Sequence, residues 1–276
     1  MSAPLTTNEF SLGEGPLWDP TRHTLFFTDI DAGRLYAVER PGEDAVEART
    51  IYEGEPVGGM TLQHDGALLL FRRNDVAILD PESGAETPVV RLDLPGAERC
   101  NDVFALPTGD VLFGTIGTDD TSGGLHRLST SCRVTTLFDG TRIPNGMALS
   151  PTTTYLYYTD STAKTIASFP YDQRSNALGD RRVLHTSDGD TPDGLACDEL
   201  GFLYSARWGG SRVLKLDRHG TEFGQINVPV ENVTSVTFGG PKRKTLFITT
   251  AGGPVFTRAN PNAADPDHRS RVIPGD

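Results

Sequence analysis

Four oxygen-bearing side chains fall on one repeating register along the chain: Glu14, Asp102, Asn145 and Asp193. They sit in Gly13-Glu-Gly-Pro-Leu-Trp18, Asn101-Asp-Val-Phe104, Pro144-Asn-Gly-Met147 and Pro192-Asp-Gly-Leu195, each a polar residue followed by a short apolar run. With Gly58 and Thr234 they form a series of six positions spaced by 44, 44, 43, 48 and 41 residues. Brought together, several carboxylates would repel one another, and burial would make the repulsion worse. A bound cation resolves that problem. Carboxylates and an amide carbonyl are hard donors, suited to Ca²⁺, Mg²⁺ or Mn²⁺, and Zn²⁺ also accepts carboxylate. Taken singly, Asn-Gly and Asp-Gly read as turn dipeptides. The shared register favours the ligand reading.

The elements that would position these residues are strands. Thr24-Leu-Phe-Phe-Thr28, Ala67-Leu-Leu-Leu-Phe71, Asp110-Val-Leu-Phe-Gly114, Tyr155-Leu-Tyr-Tyr-Thr159, Phe202-Leu-Tyr-Ser205 and Thr245-Leu-Phe-Ile-Thr249 are β-branched, aliphatic or aromatic, and turn signals precede most of them. No segment holds a 3.6-residue apolar period over three turns. Six units of about 45 residues match the period of propeller blades, each a four-stranded antiparallel sheet. A solenoid is disfavoured because helices and a capping repeat are missing. The expected fold is therefore all-β, a six-bladed β-propeller spanning residues 1–276 as one domain. In such a ring the innermost strands run along a central channel, so equivalent positions converge on the axis. The polar, Pro-rich tail from Ala259 to His268 reads as an exposed loop before a closing strand.

Composition excludes several functions. The net charge of −12 disfavours nucleic acid and anionic lipid as partners. No apolar run is long enough to span a membrane. The three cysteines, Cys100, Cys132 and Cys197, are odd in number and widely spaced. They imply neither a disulfide framework nor a cysteine zinc site, and they fit a reducing compartment. The first ten residues show no secretory pattern, so a cytoplasmic location is expected and the Asn232-Val-Thr234 sequon is read as chance.

The six histidines are scattered, without HxxxH or HxH, and GxSxG and P-loop patterns do not occur. Asp188-Gly-Asp-Thr-Pro-Asp-Gly194 imitates an EF-hand loop, but Asp193 stands where the sharp-turn glycine belongs. Trp208 reads first as a core residue and second as a wall of a substrate pocket.

The ordered motifs Gly13-Glu-Gly-Pro16, Arg99-Cys-Asn-Asp102 with Phe113-Gly-Thr115, Pro144-Asn-Gly146 with Tyr157-Tyr-Thr-Asp160, Pro192-Asp-Gly194 and Phe238-Gly-Gly240 resemble the SMP-30/gluconolactonase/regucalcin family. The resemblance runs from about Glu14 to Ala251. It implies a six-bladed propeller and a metal-dependent lactonase that opens a small sugar lactone to the aldonic acid. It places one divalent cation (Ca²⁺, Zn²⁺, Mg²⁺, Mn²⁺ or Fe²⁺) on Glu14, Asn145 and Asp193, with Asp193 also the candidate general base. It gives Arg99 and Asn101 to the lactone, leaves Asp102 a supporting role, and suggests Asp119 or Asp120 as a further substrate contact. Val103 departs from the family pattern, which has glycine there. The competing readings are a calcium-binding regulatory propeller and a hydrolase of another ester, such as a phosphotriester.

Overall fold

The computed structural model describes residues 2–42, 44–118, 122–264 and 268–274. It contains six antiparallel sheets arranged as blades around a closed ring. The innermost strands are Gly13–Asp19, Gly59–Leu62, Ala97–Ala105, Pro144–Leu149, Thr191–Cys197 and Asn232–Gly239, which define blades 1 to 6. Each packs against the next around the ring, and the last packs against the first. The expected architecture and blade count are observed.

The strand sequences explain the packing. The second strand of a blade is covered on both faces by neighbouring blades, so it is buried on both faces rather than alternating between buried and exposed; Thr24–Asp29 and Leu68–Phe71 are buried at every position. Successive side chains point to opposite faces. Accordingly Phe26 joins the cluster between blades 1 and 2, and Phe27 joins the cluster between blades 6 and 1. The six apolar clusters correspond to the six blade interfaces. Outer strands such as Glu86–Arg91 are largely exposed and polar.

Ring closure departs from expectation. The strand that completes blade 6 comes from the N-terminus: Ala3 and Pro4 pair with Thr257 and Phe256. The C-terminal segment is instead a strap. Asn262 Nδ2 bonds the buried Asp198 carboxylate of blade 5 at 2.9 Å. Farther on, the Ser270 backbone bonds Leu62 and His64 of blade 2, and Arg271 N–H bonds Gly109 O of blade 3. Ser270 and Val272 are buried. The tail thus ties blade 5 to blades 2 and 3 without adding a strand to a blade.

Candidate functional site

Five of the six inner strands carry a β-bulge near the start. A bulge re-aims side chains by inserting residues without ladder partners. In blade 4 the pairs Pro144↔Asp160 and Met147↔Tyr158 bracket Asn145-Gly146. In blade 5, Pro192↔Arg207 and Leu195↔Ser205 bracket Asp193-Gly194. In blade 3, Cys100↔Thr115 and Val103↔Phe113 bracket Asn101-Asp102. Asn101, not Asp102, is therefore the structural equivalent of Asn145 and Asp193. Simple residue counting placed the register one position late. Glu14 still pairs with Thr28, immediately before its blade's bulge, and reaches the axis with a longer side chain.

Blade 2 has no bulge and offers no donor, for a steric reason. A Cβ on Gly58 would lie 2.0 Å from Cys100 O, and one on Gly59 would lie 2.9 Å from the Val103 side chain. Its glycines let the Arg99–Asn101 segment approach the axis. Gly146 and Gly194 act similarly: added Cβ atoms would meet Leu195 N at 2.2 Å and Ser235 Oγ at 2.1 Å, and neither glycine has a positive φ. The Asn-Gly and Asp-Gly dipeptides are close-approach positions within strands, so the turn reading does not hold. Thr234, in the blade 6 bulge, is tied away from the axis by its hydroxyl bond to Gly13 O.

Glu14, Asn101, Asn145 and Asp193 are all buried, each less than 10 % exposed, and Asp102 is half-buried beside them. Glu14 Oε2 accepts the Gly15 N–H at 3.0 Å. Asn145 Nδ2 donates to Ser161 Oγ at 3.0 Å, and its Oδ1 accepts from Asn101 Nδ2 at 3.2 Å. Asn101 Nδ2 also reaches Pro144 O at 2.8 Å, and Arg99 Nη1 donates to Asn101 Oδ1 at 2.7 Å and to Cys100 O at 2.9 Å. Asp193 Oδ1 is buried with no hydrogen-bond partner among the described residues.

The electrostatics of this cluster are frustrated. Burial, reinforced by Asp102, pushes the Glu14 carboxyl far above the usual range. Burial raises Asp102 as well, opposed by Arg99. Asp193 is raised by burial and then by Glu14 and Asp102. Burial in turn lowers the Arg99 pKa, against the pull of Glu14. One guanidinium does not neutralise three carboxylates at close quarters. An orphaned carboxylate oxygen, crowded acids and an oxygen-only donor set all fit a divalent cation. Among the described residues no group of three or more His, Cys, Asp or Glu forms a metal cage, so a three-donor set here needs an amide oxygen such as that of Asn145.

The channel continues along the axis as a cavity of about 470 Å³, lined by Met60, Phe104, Met147, Leu195 and Val236, with Ala264 and His268 of the strap also on its wall. Asp102 faces this cavity. Trp208 is 40 % exposed and pairs with Thr191, two residues before Asp193. The first expectation for it, core packing, is thus overturned; it lies exposed at the end of blade 5 where the inner strand begins. Asp119 and Asp120 lie outside the described residues. Sequence reasoning missed Ser161, which follows the Tyr157-Tyr-Thr-Asp160 motif directly and could have been noticed there.

Among the described residues no helix is long and apolar enough to cross a membrane. The model of the SMP-30/Gluconolactonase/LRE-like region matches residues 12–252. The chain is 39 % identical over 246 residues to pentonolactonase XacC of Haloferax volcanii, covering 88 % of this chain and 82 % of that one. It is 31 % identical to a 6-deoxy-6-sulfogluconolactonase of Pseudomonas putida, covering 87 % and 83 % of the two chains. Its fold superposes on the crystal structure of a calcium-binding protein, regucalcin, from Agrobacterium tumefaciens with a TM-score of 0.91, at 24 % identity over 99 % of this chain and 98 % of that one. The chain belongs to the SMP-30/gluconolactonase/LRE-like family.

Proposed function

We propose that the protein hydrolyses a small sugar lactone, a pentonolactone or hexonolactone, to the aldonic acid with a divalent cation on the propeller axis. The observation that carries this reading is the buried Asp193 Oδ1, unpartnered beside Glu14 and Asn145 and next to the Arg99–Asn101 pair. Glu14, Asn145 and Asp193 would hold the cation. When bound, a divalent cation supplies Lewis acidity toward the lactone carbonyl. The names of the relatives, a pentonolactonase and a sulfogluconolactonase, support a lactone substrate.

The chain's own groups have separable tasks. Water adds to the lactone carbonyl carbon, the ring C–O bond breaks, and the released alkoxide takes a proton. Asp193 would orient the water, accept its proton and return it to the released ring oxygen. Arg99 uses Nη1 on Cys100 O and Asn101 Oδ1. Its remaining nitrogens are available to the negative charge that develops on the carbonyl oxygen, and loss of such a donor typically costs about 10²–10³ in kcat. Asn101, with both Nδ2 hydrogens on Pro144 O and Asn145 Oδ1 and one bond from Arg99 at Oδ1, would offer the second lone pair of Oδ1 to a ring hydroxyl. Trp208, exposed at the same end of blade 5 as Asp193, would give a bound lactone an apolar wall.

The test is proton release from a panel of pentono- and hexonolactones, using metal-stripped protein reloaded with Ca²⁺, Mg²⁺, Mn²⁺, Fe²⁺ or Zn²⁺. Metal-dependent turnover that disappears in Asp193→Ala is the expected result. Folded, metal-bound protein with no turnover on any lactone would overturn the substrate class.

A further inference from the structure

An asparagine can hold a cation only with its carbonyl end, so the orientation of the Asn145 carboxamide matters as much as its position. The two ends of the amide are nearly the same size, and sterics alone does not select one. Selection has to come from a partner of fixed polarity. Ser161 Oγ lies 3.0 Å from Asn145 Nδ2 and 2.7 Å from Pro192 O. A hydroxyl has one proton and two lone pairs. The Pro192 carbonyl can only accept, so the Ser161 proton goes there. Ser161 Oγ then faces Asn145 as an acceptor, which requires an N–H from the amide. The carbonyl Oδ1 is thereby turned toward Asn101 Nδ2 and the axis.

Ser161 itself is firmly placed. It is 7 % exposed. Its N–H bonds Ile143 O at 3.1 Å, its carbonyl accepts from Lys164 N at 3.2 Å, and Asp160 Oδ1 holds the Ala163 N–H of the same turn at 3.0 Å. The contact to Pro192 O ties the residue before Asp193 in blade 5 to the turn after the second strand of blade 4. One hydroxyl therefore touches the carboxamide from one blade and the backbone that presents the carboxylate from the next.

We infer that Ser161 is a positioning residue that fixes the Asn145 carboxamide with its oxygen toward the axis and couples it to the Asp193 strand. This rests on the proposal that Asn145 and Asp193 hold a cation. Removal of the hydroxyl leaves the Asn145 orientation to the bond from Asn101 Nδ2, and an amide rotated against it presents N–H dipoles to the cation.

Two readouts test it on the full chain. Mn²⁺ and Ca²⁺ affinity of metal-stripped Ser161→Ala is measured by calorimetry, with Ser161→Thr as the rescue and Ser161→Cys as a variant that keeps the volume while weakening donor and acceptor. Groups that orient metal-bound side chains are worth about 10–100-fold in affinity. Ser161→Ala and Ser161→Cys should lose affinity in that range while Ser161→Thr retains it. Separately, the side-chain amide resonances of Asn145, assigned by their loss in Asn145→Asp, are followed in metal-free protein. They should be sharp in the parent and in Ser161→Thr, and broadened or shifted in Ser161→Ala. Unchanged amide signals and unchanged affinity in Ser161→Ala would overturn the inference even if the lactonase is active. Amide signals that respond to Ser161→Ala in a protein that binds no metal would instead leave the orientation role standing and refute the cation reading.

Discussion

Replacing Gly146 by alanine should damage the protein through a wedge rather than through a turn. The new Cβ would lie 2.2 Å from Leu195 N, 2.6 Å from the Gly194 carbonyl carbon and 2.6 Å from Leu195 Cβ, whereas ordinary contact begins at 3.4 Å. Two of the three obstacles are backbone atoms that cannot rotate away. Blades 4 and 5 would have to part by at least about 1 Å at the level of Asn145 and Asp193, in an interface packed to interior density. Overpacking usually costs about 1–3 kcal/mol, and a backbone obstacle puts this case at the upper end, about 3 kcal/mol. With each kcal/mol worth roughly 2–4 °C in a chain of this size, Tm should fall by roughly 6–12 °C. The same displacement separates Asn145 from Asp193, so affinity for Mn²⁺ should drop as well. The control is Gly189→Ala, where an added Cβ meets nothing within 4 Å and φ is not positive. That change should be neutral or stabilise by up to about 1 kcal/mol through the unfolded chain. Differential scanning calorimetry of both metal-free variants decides the matter. A Gly146→Ala protein as stable as Gly189→Ala would show that the blades do not approach as described and would refute the close-approach reading.

Three further outcomes follow from groups outside the proposed cation-binding set. His126 is buried between Thr115 Oγ1 and Thr136 Oγ1, and burial lowers its pKa from 6.5 to about 4. The folded state therefore binds fewer protons than the unfolded one between those values, so the stability present above pH 6.5 is lost as pH falls toward 4, by about 3 kcal/mol in all; chemical denaturation of His126→Gln should lack that part of the acid dependence. Arg207 is wholly buried, 3.7 Å from Asp190, so Asp190→Ala should leave an uncompensated charge and destabilise by about 3 kcal/mol or more, while Arg207→Met, with Asp190 still bonded to Arg212, should be far milder in the same assay. Cys100 is buried and burial pushes its thiol pKa up, so a thiol reagent should modify no more than Cys132 and Cys197 in the native protein, and the Cys100 peptide should stay unlabelled by mass spectrometry.

The ring was legible because propeller blades repeat, and second strands covered on both faces carry unbroken apolar runs such as Leu25-Phe-Phe27 and Leu68-Leu-Leu-Phe71. Convergence of Glu14, Asn145 and Asp193 followed from the same periodicity. What counting could not supply was local geometry. A bulge inserts residues without a sequence mark, so Asp102 appeared in register where Asn101 stands. Gly146 and Gly194 looked like turn glycines because steric pressure comes from the neighbouring blade, which is distant in sequence. The closing strand was sought at the C-terminus because that segment is also extended and polar; only pairing shows that Ala3–Pro4 fills the edge. Ser161 and Arg207 escaped notice for a related reason: their partners, Pro192 O and Asp190, are set by tertiary contact rather than spacing.

The roles proposed for Glu14, Asn145 and Asp193 all depend on the axial carboxylate–amide cluster being a cation site. An anomalous-difference map from crystals soaked in Mn²⁺ tests it most directly. One dominant peak is expected on the axis, within about 2.0–2.6 Å of oxygen atoms from Glu14, Asn145 and Asp193. A lactonase-active crystal form with no peak there, or with its peak on other residues, would contradict it.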